Sequence, residues 1–288
     1  LGLAIDPHFE SNRFLYVYHT YLNSQGLLRN RVVRLLDHGT TGEIVKTIID
    51  DIPGDRIHNG GRIKFGPDRK LYITTGDADN GPLAQKMDSL AGKILRINPD
   101  GSIPTDNPFS GSPVYSYGHR NPQGLAWHPV TGQLFATEHG PVGHDELNII
   151  SPGNNYGWPI VSGIVSDPRF LDPILESGLE TWAPGGATIY NGTKLPSSWN
   201  NRVIFGSLRS HQLVWVITRP PLYEEVQELG KNFVRQFGRI REVTEGPDGY
   251  IYFTTSNMDS RGKPGLEDDL LLRIVPITGS LSAVPSTR

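Results

Sequence analysis

Short apolar runs alternate along the chain with clusters of Gly, Pro, Asp and Asn, and the same order of runs returns several times. Leu3 to Tyr18 (LAIDPHFESNRFLYVY), Ile63 to Asp77 (IKFGPDRKLYITTGD), Leu125 to Gly140 (LAWHPVTGQLFATEHG) and Val243 to Asn257 (VTEGPDGYIYFTTSN) each read apolar strand, turn, apolar strand. A degenerate copy spans Ala187 to Leu208, with Asn191 and Gly192 at its turn and Val203, Ile204 and Phe205 in its second strand. The turn positions Pro7, Pro67, Pro129, Gly192 and Pro247 recur about 55 to 63 residues apart, the mark of a repeated supersecondary unit. A further apolar segment follows four of the hairpins, at Val32 to Leu36, Lys93 to Asn98, Glu146 to Ile150 and Leu271 to Val275. Evenly spaced short strands with turn residues between them predict an all-β fold, and units of four strands predict the blades of a β-propeller. Between Pro221 and Gly238, the residues Leu222, Val226, Leu229 and Phe233 fall at helix-like spacing. Gly230 interrupts that spacing and the repeat calls for strands, so strands with a bulge are predicted there.

Composition adds bounds. With 288 residues, 33 Gly, 23 Pro and 36% apolar residues, the chain is turn-rich and long enough for one closed repeat domain. A single propeller domain is expected over 1–276 and a loose tail over 277–288, rich in Ser, Thr, Ala and Pro. Counting from Leu1 gives five units; Leu1 is not an initiator Met and falls inside a unit, so one N-terminal unit and any signal peptide are expected to lie outside this sequence. No run approaches the length of a membrane span. The net charge of -3 makes no case for nucleic acid or an anionic membrane. Absence of Cys removes disulfides, metal thiolates and a cysteine nucleophile together.

Candidate chemistry lies in the loops, because the channel of a propeller is lined by loops at one end of its innermost strands. Asp55 to Arg62 (D-R-I-H-N-G-G-R) sets His58 before a glycine pair that lets backbone approach a ligand, and His suits proton transfer near neutral pH. A lone His beside Gly-Gly is more often a structural loop residue. Gly118 to Gly124 (G-H-R-N-P-Q-G) offers Arg120, a planar fork of donors, and Asn121, both donor and acceptor; such a turn also serves simply to satisfy backbone groups. Arg239 and Arg241, two apart before the hairpin at Val243, project to one face of a strand. Two guanidinium groups on one face repel unless an anion sits between them. With Arg209 after the strand Val203 to Phe205, the register would bring four arginines and His58 to one channel mouth, a constellation for a small polyanion.

The string Glu138 to Glu146 (E-H-G-P-V-G-H-D-E), followed by Asn154 to Pro159 (N-N-Y-G-W-P), gathers carboxylates, Gly and Pro carbonyls and Tyr156. Such oxygen donors suit a hard cation and point to calcium, with metal-free acidic turns as the alternative. His139 and His144 lack the usual ligand spacing for zinc or copper.

The run Arg56 to Asp77, the segment Gly118 to Leu125, the string Glu138 to Pro159 and the run Gly238 to Gly249 together resemble the soluble quinoprotein sugar dehydrogenases, the glucose and sorbosone dehydrogenase group. The resemblance covers nearly the whole chain and, because the loops are short, is stronger to the broad-specificity aldose sugar dehydrogenases. It implies a six-bladed β-propeller, four antiparallel strands per blade, using pyrroloquinoline quinone (PQQ) and calcium. In the family's pattern His58 matches the catalytic base. Arg120 and Asn121 match residues contacting PQQ, the arginine facing developing charge on the quinone oxygen, and Arg209, Arg239 and Arg241 match the carboxylate-holding cations. Gly140 and Pro141 match carbonyl ligands of the catalytic calcium, and Glu146 and Tyr156 a second calcium site. Two departures stand out: a PQQ-contacting Gln falls upstream of Leu1, and Ile57 replaces an acidic residue. The resemblance implies oxidation of aldoses to lactones with electrons passed to an external acceptor, in a periplasmic or secreted monomer or dimer. A calcium-dependent propeller lactonase and a non-catalytic binding module remain as other classes; the former has little use for an arginine cage, and the latter has none for His58, Arg120, Asn121, Arg239 and Arg241 together.

Overall fold

The computed structural model describes residues 1–277 and 280–285. Five four-stranded antiparallel sheets follow one another along the chain, each in sequential strand order. The first holds β1 (Gly2–Ile5), β2 (Phe14–Leu22), β3 (Leu28–Asp37) and β4 (Gly42–Pro53). The second holds β5 (Ile63–Phe65), β6 (Leu71–Thr75), β7 (Lys93–Ile97) and β8 (Val114–Tyr117). The third holds β9 (Pro122–Trp127), β10 (Leu134–Glu138), β11 (Glu146–Ile150) and β12 (Leu175–Glu176). The fourth holds β13 (Pro184–Ile189), β14 (Val203–Ser207), β15 (Gln212–Thr218) and β16 (Val226–Asn232). The fifth holds β17 (Ile240–Glu245), β18 (Ile251–Thr255), β19 (Leu271–Ile277) and β20 (Ser280–Pro285).

This is the all-β propeller fold, in five blades. Among the described residues there are five blades, one for each repeat unit counted in the sequence. Within the segment 277–288, expected as a loose tail, Ser280–Pro285 pairs with β19; residues 278, 279 and 286–288 lie outside the described residues. The ambiguous segment after Pro221 forms β16, with a register shift against β15 between Ile217 and Thr218. Gly230 sits directly across from Trp215, where a Cβ would run into the indole ring, so the residue that breaks the helical pattern also makes room for an aromatic side chain.

The chain divides into two compact units, Leu1–Gln123 with Ile150–Asp172, and Gly124–Ile149 with the described residues from Pro173 on. The core of the first is built from inward residues of blades one and two, among them Tyr16, Tyr18, Val32, Ile63, Leu71, Ile73 and Leu95. In the second, Phe135, Leu147, Val203, Phe205 and Val214 form one cluster and Ile204, Leu213, Val243, Phe253 and Leu272 another. Alternate strand residues thus face successive blades, as the period of two requires. Among the described residues no helix is long and apolar enough to cross a membrane.

Within any blade, the residues entering the first strand and those leaving the second lie at the same end, because the strands are antiparallel. That rule decides what each candidate loop can meet.

Candidate active site

In the first unit, the loop entering β5 meets the loop leaving β6. His58 Nδ1 lies 2.9 Å from Asp77 Oδ1. Asp77 is 2% exposed, and its two oxygens also accept the Asp79 N–H at 3.0 Å and the Trp158 Nε1–H at 2.8 Å. The carboxylate oxygen can only accept at this contact, so it fixes the imidazole hydrogen on Nδ1 and leaves the Nε2 lone pair open. Nε2 has no hydrogen-bond partner among the described residues, and the His58 side chain keeps 14% exposure.

The backbone fixes this pair. His58 has φ of 55°, in the left-handed region, and its carbonyl accepts the Ala78 N–H at 3.1 Å. Gly76 admits that approach: a Cβ there would overlap the His58 carbonyl. The glycine pair expected to face a ligand has another use. Gly60 (φ 60°) and Gly61 (φ 100°) press against the strand β6 backbone and the side chain of Leu1, and Gly61 N–H donates to the Thr74 carbonyl at 2.9 Å.

Arg120 and Asn121 sit in the same unit. The Arg120 carbonyl accepts the Asp77 N–H at 2.8 Å, and its guanidinium carbon lies 5.4 Å from the centroid of Trp158, so one indole orients both the arginine and the carboxylate behind His58. Asn121 is buried, and its Oδ1 accepts the Gly60 N–H at 3.0 Å; it clasps the His58 loop to its neighbour. His119 bonds Ser116 Oγ at 2.8 Å and stacks on Tyr156 with centroids 4.6 Å apart. The Tyr156 hydroxyl accepts the Ser151 N–H at 2.8 Å, so this suggested calcium ligand also supports the Arg120 loop.

Lys93, which sequence reading passed over as a strand residue, is fully buried and donates to the carbonyls of Leu83, Ala84 and Ala91 at 3.0, 3.0 and 2.7 Å. Ala84 also accepts the Gly118 N–H at 3.0 Å, which seats the loop carrying Arg120. Burial pulls the Lys93 pKa down to about 7. All three ammonium hydrogens are nevertheless used, and in an apolar interior such satisfaction is what makes a buried cation tolerable.

In the second unit, the arginine pair before β17 has its anion within the chain. Asp259 Oδ2 accepts from Arg239 Nη2 at 2.9 Å and from Arg241 Nη2 at 2.6 Å. Arg239 is buried and also donates to the Leu208 carbonyl at 2.9 Å, while the Arg241 side chain keeps 41% exposure and is braced by Ser256 Oγ at 2.8 Å. Burial alone would raise the Asp259 pKa, but the Arg239 hydrogen bond, the Arg261 N–H and Arg241 bring it down to about 2. Two cations share one carboxylate, leaving a net positive charge on a partly open face. Since the folded pKa lies below the ordinary Asp value of about 4, the stabilisation is complete above that value and is lost as pH falls toward about 2. The melting-temperature gap between the chain and an Asp259→Asn variant is therefore expected to hold at neutral pH and to shrink as the pH drops from about 4; a gap that is flat down to the acid limit would contradict the contact. Arg209 follows β14 in the turn to β15, and its backbone N–H donates to the Trp182 carbonyl at 2.9 Å.

The loop of Gly140 and Pro141 joins β10 to β11. Its fold rests on Asp145, 1% exposed, which accepts the N–H of Gly140 at 2.9 Å, of Trp182 at 2.6 Å and of Ala183 at 2.8 Å. A Cβ on Gly140 would overlap the carbonyl oxygens of Gly143 and His144, so the loop concentrates backbone oxygens as a hard cation requires. His144 Nδ1 lies 2.8 Å from Glu176, which occupies the two groups with each other. Glu146 pairs with Glu176 across β11 and β12 and accepts from Asn148 Nδ2 at 3.0 Å. Among the described residues no cluster of three or more His, Cys, Asp or Glu could hold a metal; any cation held by this loop would rest on carbonyls. Asp145→Ala strands three backbone N–H groups, that of Trp182 buried and those of Gly140 and Ala183 part-buried, and is expected to cost about 2–4 kcal/mol, read as a drop in denaturant midpoint; a loss within ~0.5 kcal/mol would show that the loop does not depend on it.

Residues 1–272 match the family model described as Glucose / Sorbosone dehydrogenase, and the chain belongs to that family. A crystal structure from Thermus thermophilus, described as an oxidoreductase (glucose dehydrogenase), is 43% identical with a TM-score of 0.86, covering 95% of this chain and 82% of that one. The PQQ-bound aldose sugar dehydrogenase of Streptomyces coelicolor is 35% identical with a TM-score of 0.85, covering 99% and 79%. An aldose sugar dehydrogenase of Escherichia coli strain K12 is 33% identical over 276 residues, 88% of this chain and 73% of that protein.

Proposed function

We propose that this chain, an oxidoreductase of that family, is a PQQ-dependent aldose dehydrogenase that oxidises the anomeric carbon of sugars to lactones and passes the electrons to an external acceptor. The observation that carries the reading is His58 held on the buried, saturated Asp77 with Nε2 open. Its setting is a chain 35% identical to a PQQ-bound aldose sugar dehydrogenase.

His58 Nε2 takes the proton of the anomeric hydroxyl. Asp77 stabilises the imidazolium that results, and Trp158 keeps the carboxylate aimed at Nδ1. Arg120, held near the Trp158 face, places positive charge where the acceptor oxygen becomes negative. Arg239, Arg241 and Arg209 would hold the cofactor's carboxylates by charge-assisted bonds; Arg239 and Arg241 share the single carboxylate of Asp259, so the pair keeps a net positive charge for that role. Bound PQQ would supply the two-electron acceptor for the hydride leaving the sugar carbon, with calcium polarising it as a Lewis acid. The Gly140 and Pro141 carbonyls would hold that ion. In this reading the five blades belong to one propeller domain over 1–276 in a six-blade family architecture, working in the periplasm or outside the cell.

Steady-state dye reduction tests the proposal. The chain supplied with PQQ and calcium is expected to oxidise several aldoses, and removal of calcium by a chelator should abolish the rate. Hydrolysis of lactones without dye reduction would transfer the site to a hydrolase.

A further inference from the structure

Three Asn-Gly dipeptides occur in the chain, Asn59-Gly60, Asn80-Gly81 and Asn191-Gly192, and the fold restrains them differently. The pair is chemically labile because glycine has no side chain to shield its amide nitrogen from the carboxamide of the asparagine before it. Attack of that nitrogen needs a carboxamide free to turn, an uncommitted glycine N–H and a peptide link able to rotate. Asn59 has none of these. Its Oδ1 accepts from Asn30 Nδ2 at 2.9 Å and from the Asp55 N–H at 3.1 Å, and its Nδ2 donates to the Asp55 carbonyl at 2.6 Å. Its own carbonyl accepts the Tyr18 hydroxyl at 2.9 Å, and the Gly60 N–H donates to Asn121 Oδ1 at 3.0 Å. Asn80 is exposed, but its backbone is held on both sides. The Asn80 N–H donates to the Asp77 carbonyl at 3.1 Å, and the Asn80 carbonyl accepts the Leu83 N–H at 3.0 Å as the short helical turn Gly81–Gln85 begins.

Asn191 keeps all three freedoms. It is exposed, and among the described residues its carboxamide, its carbonyl and the Gly192 N–H have no hydrogen-bond partner. Its own N–H donates to Glu245 Oε2 at 3.1 Å, a bond on the far side of Asn191 from the link that must rotate. Packing explains why glycine follows it. A Cβ at 192 would lie 2.7 Å from the Gly249 carbonyl oxygen and from the ring and hydroxyl of Tyr190, so the close approach that demands glycine also creates the labile pair.

We propose that Asn191 is a site of spontaneous covalent modification, the conversion of its carboxamide to aspartate and isoaspartate with water as co-reactant. Base removes the Gly192 amide proton, the nitrogen bonds to Asn191 Cγ, and ammonia leaves as a succinimide ring closes. Water then opens the ring at either carbonyl. No electrons are transferred; the chain gains a carboxylate, and the isoaspartate product also gains a methylene in its main chain. The consequence falls on a clasp between blades four and five. Tyr190 Oη donates to the Gly249 carbonyl at 3.0 Å, in the turn from β17 to β18, and accepts the N–H groups of Lys194 at 3.0 Å and Leu195 at 2.8 Å. The new charge arises on the residue whose N–H holds the Glu245 carboxylate, and like charges repel. The lengthened backbone enters directly ahead of the segment that wraps the Tyr190 hydroxyl, so modification loosens the clasp.

Ageing of the whole chain in mildly alkaline buffer, followed by peptide mapping with mass spectrometry and isoaspartyl methyltransferase labelling, tests this. In the folded chain Asn191 is expected to convert at least tenfold faster than Asn59 and Asn80. In concentrated urea the three rates should converge, because the fold itself is what restrains the other two. Asn191→Gln lengthens the side chain out of reach of easy ring closure and avoids the clash that Gly192→Ala would meet; its aged sample should carry no modification at this position. Aged wild type should melt below fresh wild type, while aged Asn191→Gln keeps its fresh melting temperature. An Asn191 that stays amidated in the folded chain while it converts in urea, equal rates at all three dipeptides before unfolding, or the same fall in melting temperature in Asn191→Gln would overturn the proposal. None of these readouts depends on quinone binding or sugar oxidation, so the result stands apart from the dehydrogenase reading.

Discussion

Replacing His58 by Ala is expected to lower turnover at saturating aldose by about 10²–10⁴-fold, the range for losing a general base, while PQQ affinity stays nearly unchanged. The separation follows from where the side chain acts. His58 is anchored through Nδ1 on Asp77 at 2.9 Å, and in the proposed reaction its open nitrogen would meet the sugar hydroxyl and make no cofactor carboxylate contact. Asp77→Asn supplies the companion result. An amide cannot compensate an imidazolium and would turn one donor toward the donors of His58 or Trp158, so turnover should fall while quinone binding persists. Stopped-flow reduction of the loaded enzyme reads the proton-transfer step, and absorbance titration reads the cofactor. A loss of PQQ affinity that matches the loss of turnover would remove His58 from the role of base.

Arg239→Ala is expected to act on the other quantity, weakening PQQ binding by about 3 kcal/mol, or roughly 10²-fold in Kd, with a smaller effect on turnover once the cofactor is saturating. The shared carboxylate makes this variant worse than a simple loss of one contact. Asp259 accepts from Arg239 and Arg241 together, and without Arg239 it stands half-compensated near the cofactor's own carboxylates. A double variant, Arg239→Ala with Asp259→Ala, should therefore recover part of the lost affinity, and the difference between the variants measures the coupling of the pair. Unchanged PQQ affinity in Arg239→Ala would take this arginine out of the cage, and additive losses in the double variant would show that Asp259 does not oppose the ligand.

The blades and the catalytic candidates were legible in the sequence for one reason and their partners were hidden for another. Strand, turn and strand recur with Pro, Asp or Gly at equivalent places, so each hairpin announces itself locally, and a residue entering the first strand of a unit has a defined address. His58, Arg120 and Arg239 were found that way. Asp77 and Asp259 lie 19 and 20 residues downstream of the groups they hold, across a turn whose length carries no signal. Their address was nevertheless available: each falls in the loop leaving the second strand, the end that antiparallel pairing returns to the start of the first. Asp145 was read only as one acidic residue among several in a candidate metal loop, whereas burial makes it the acceptor for three backbone groups. Gly60 and Gly61 misled in the other direction, because permissive backbone serves close strand approach as readily as ligand contact. The arginine pair also has an anion within the chain, the single Asp259 carboxylate that both share, and the sequence spacing gave no sign of it.

The most direct test of the account is an absorbance titration of the purified chain with PQQ in the presence of calcium, followed by addition of an aldose under anaerobic conditions. The account predicts saturation at one PQQ per chain and reduction of the bound cofactor when the sugar is added, in wild type but not in His58→Ala. A folded chain that binds no PQQ, or binds it and leaves it oxidised with every aldose, would contradict the account.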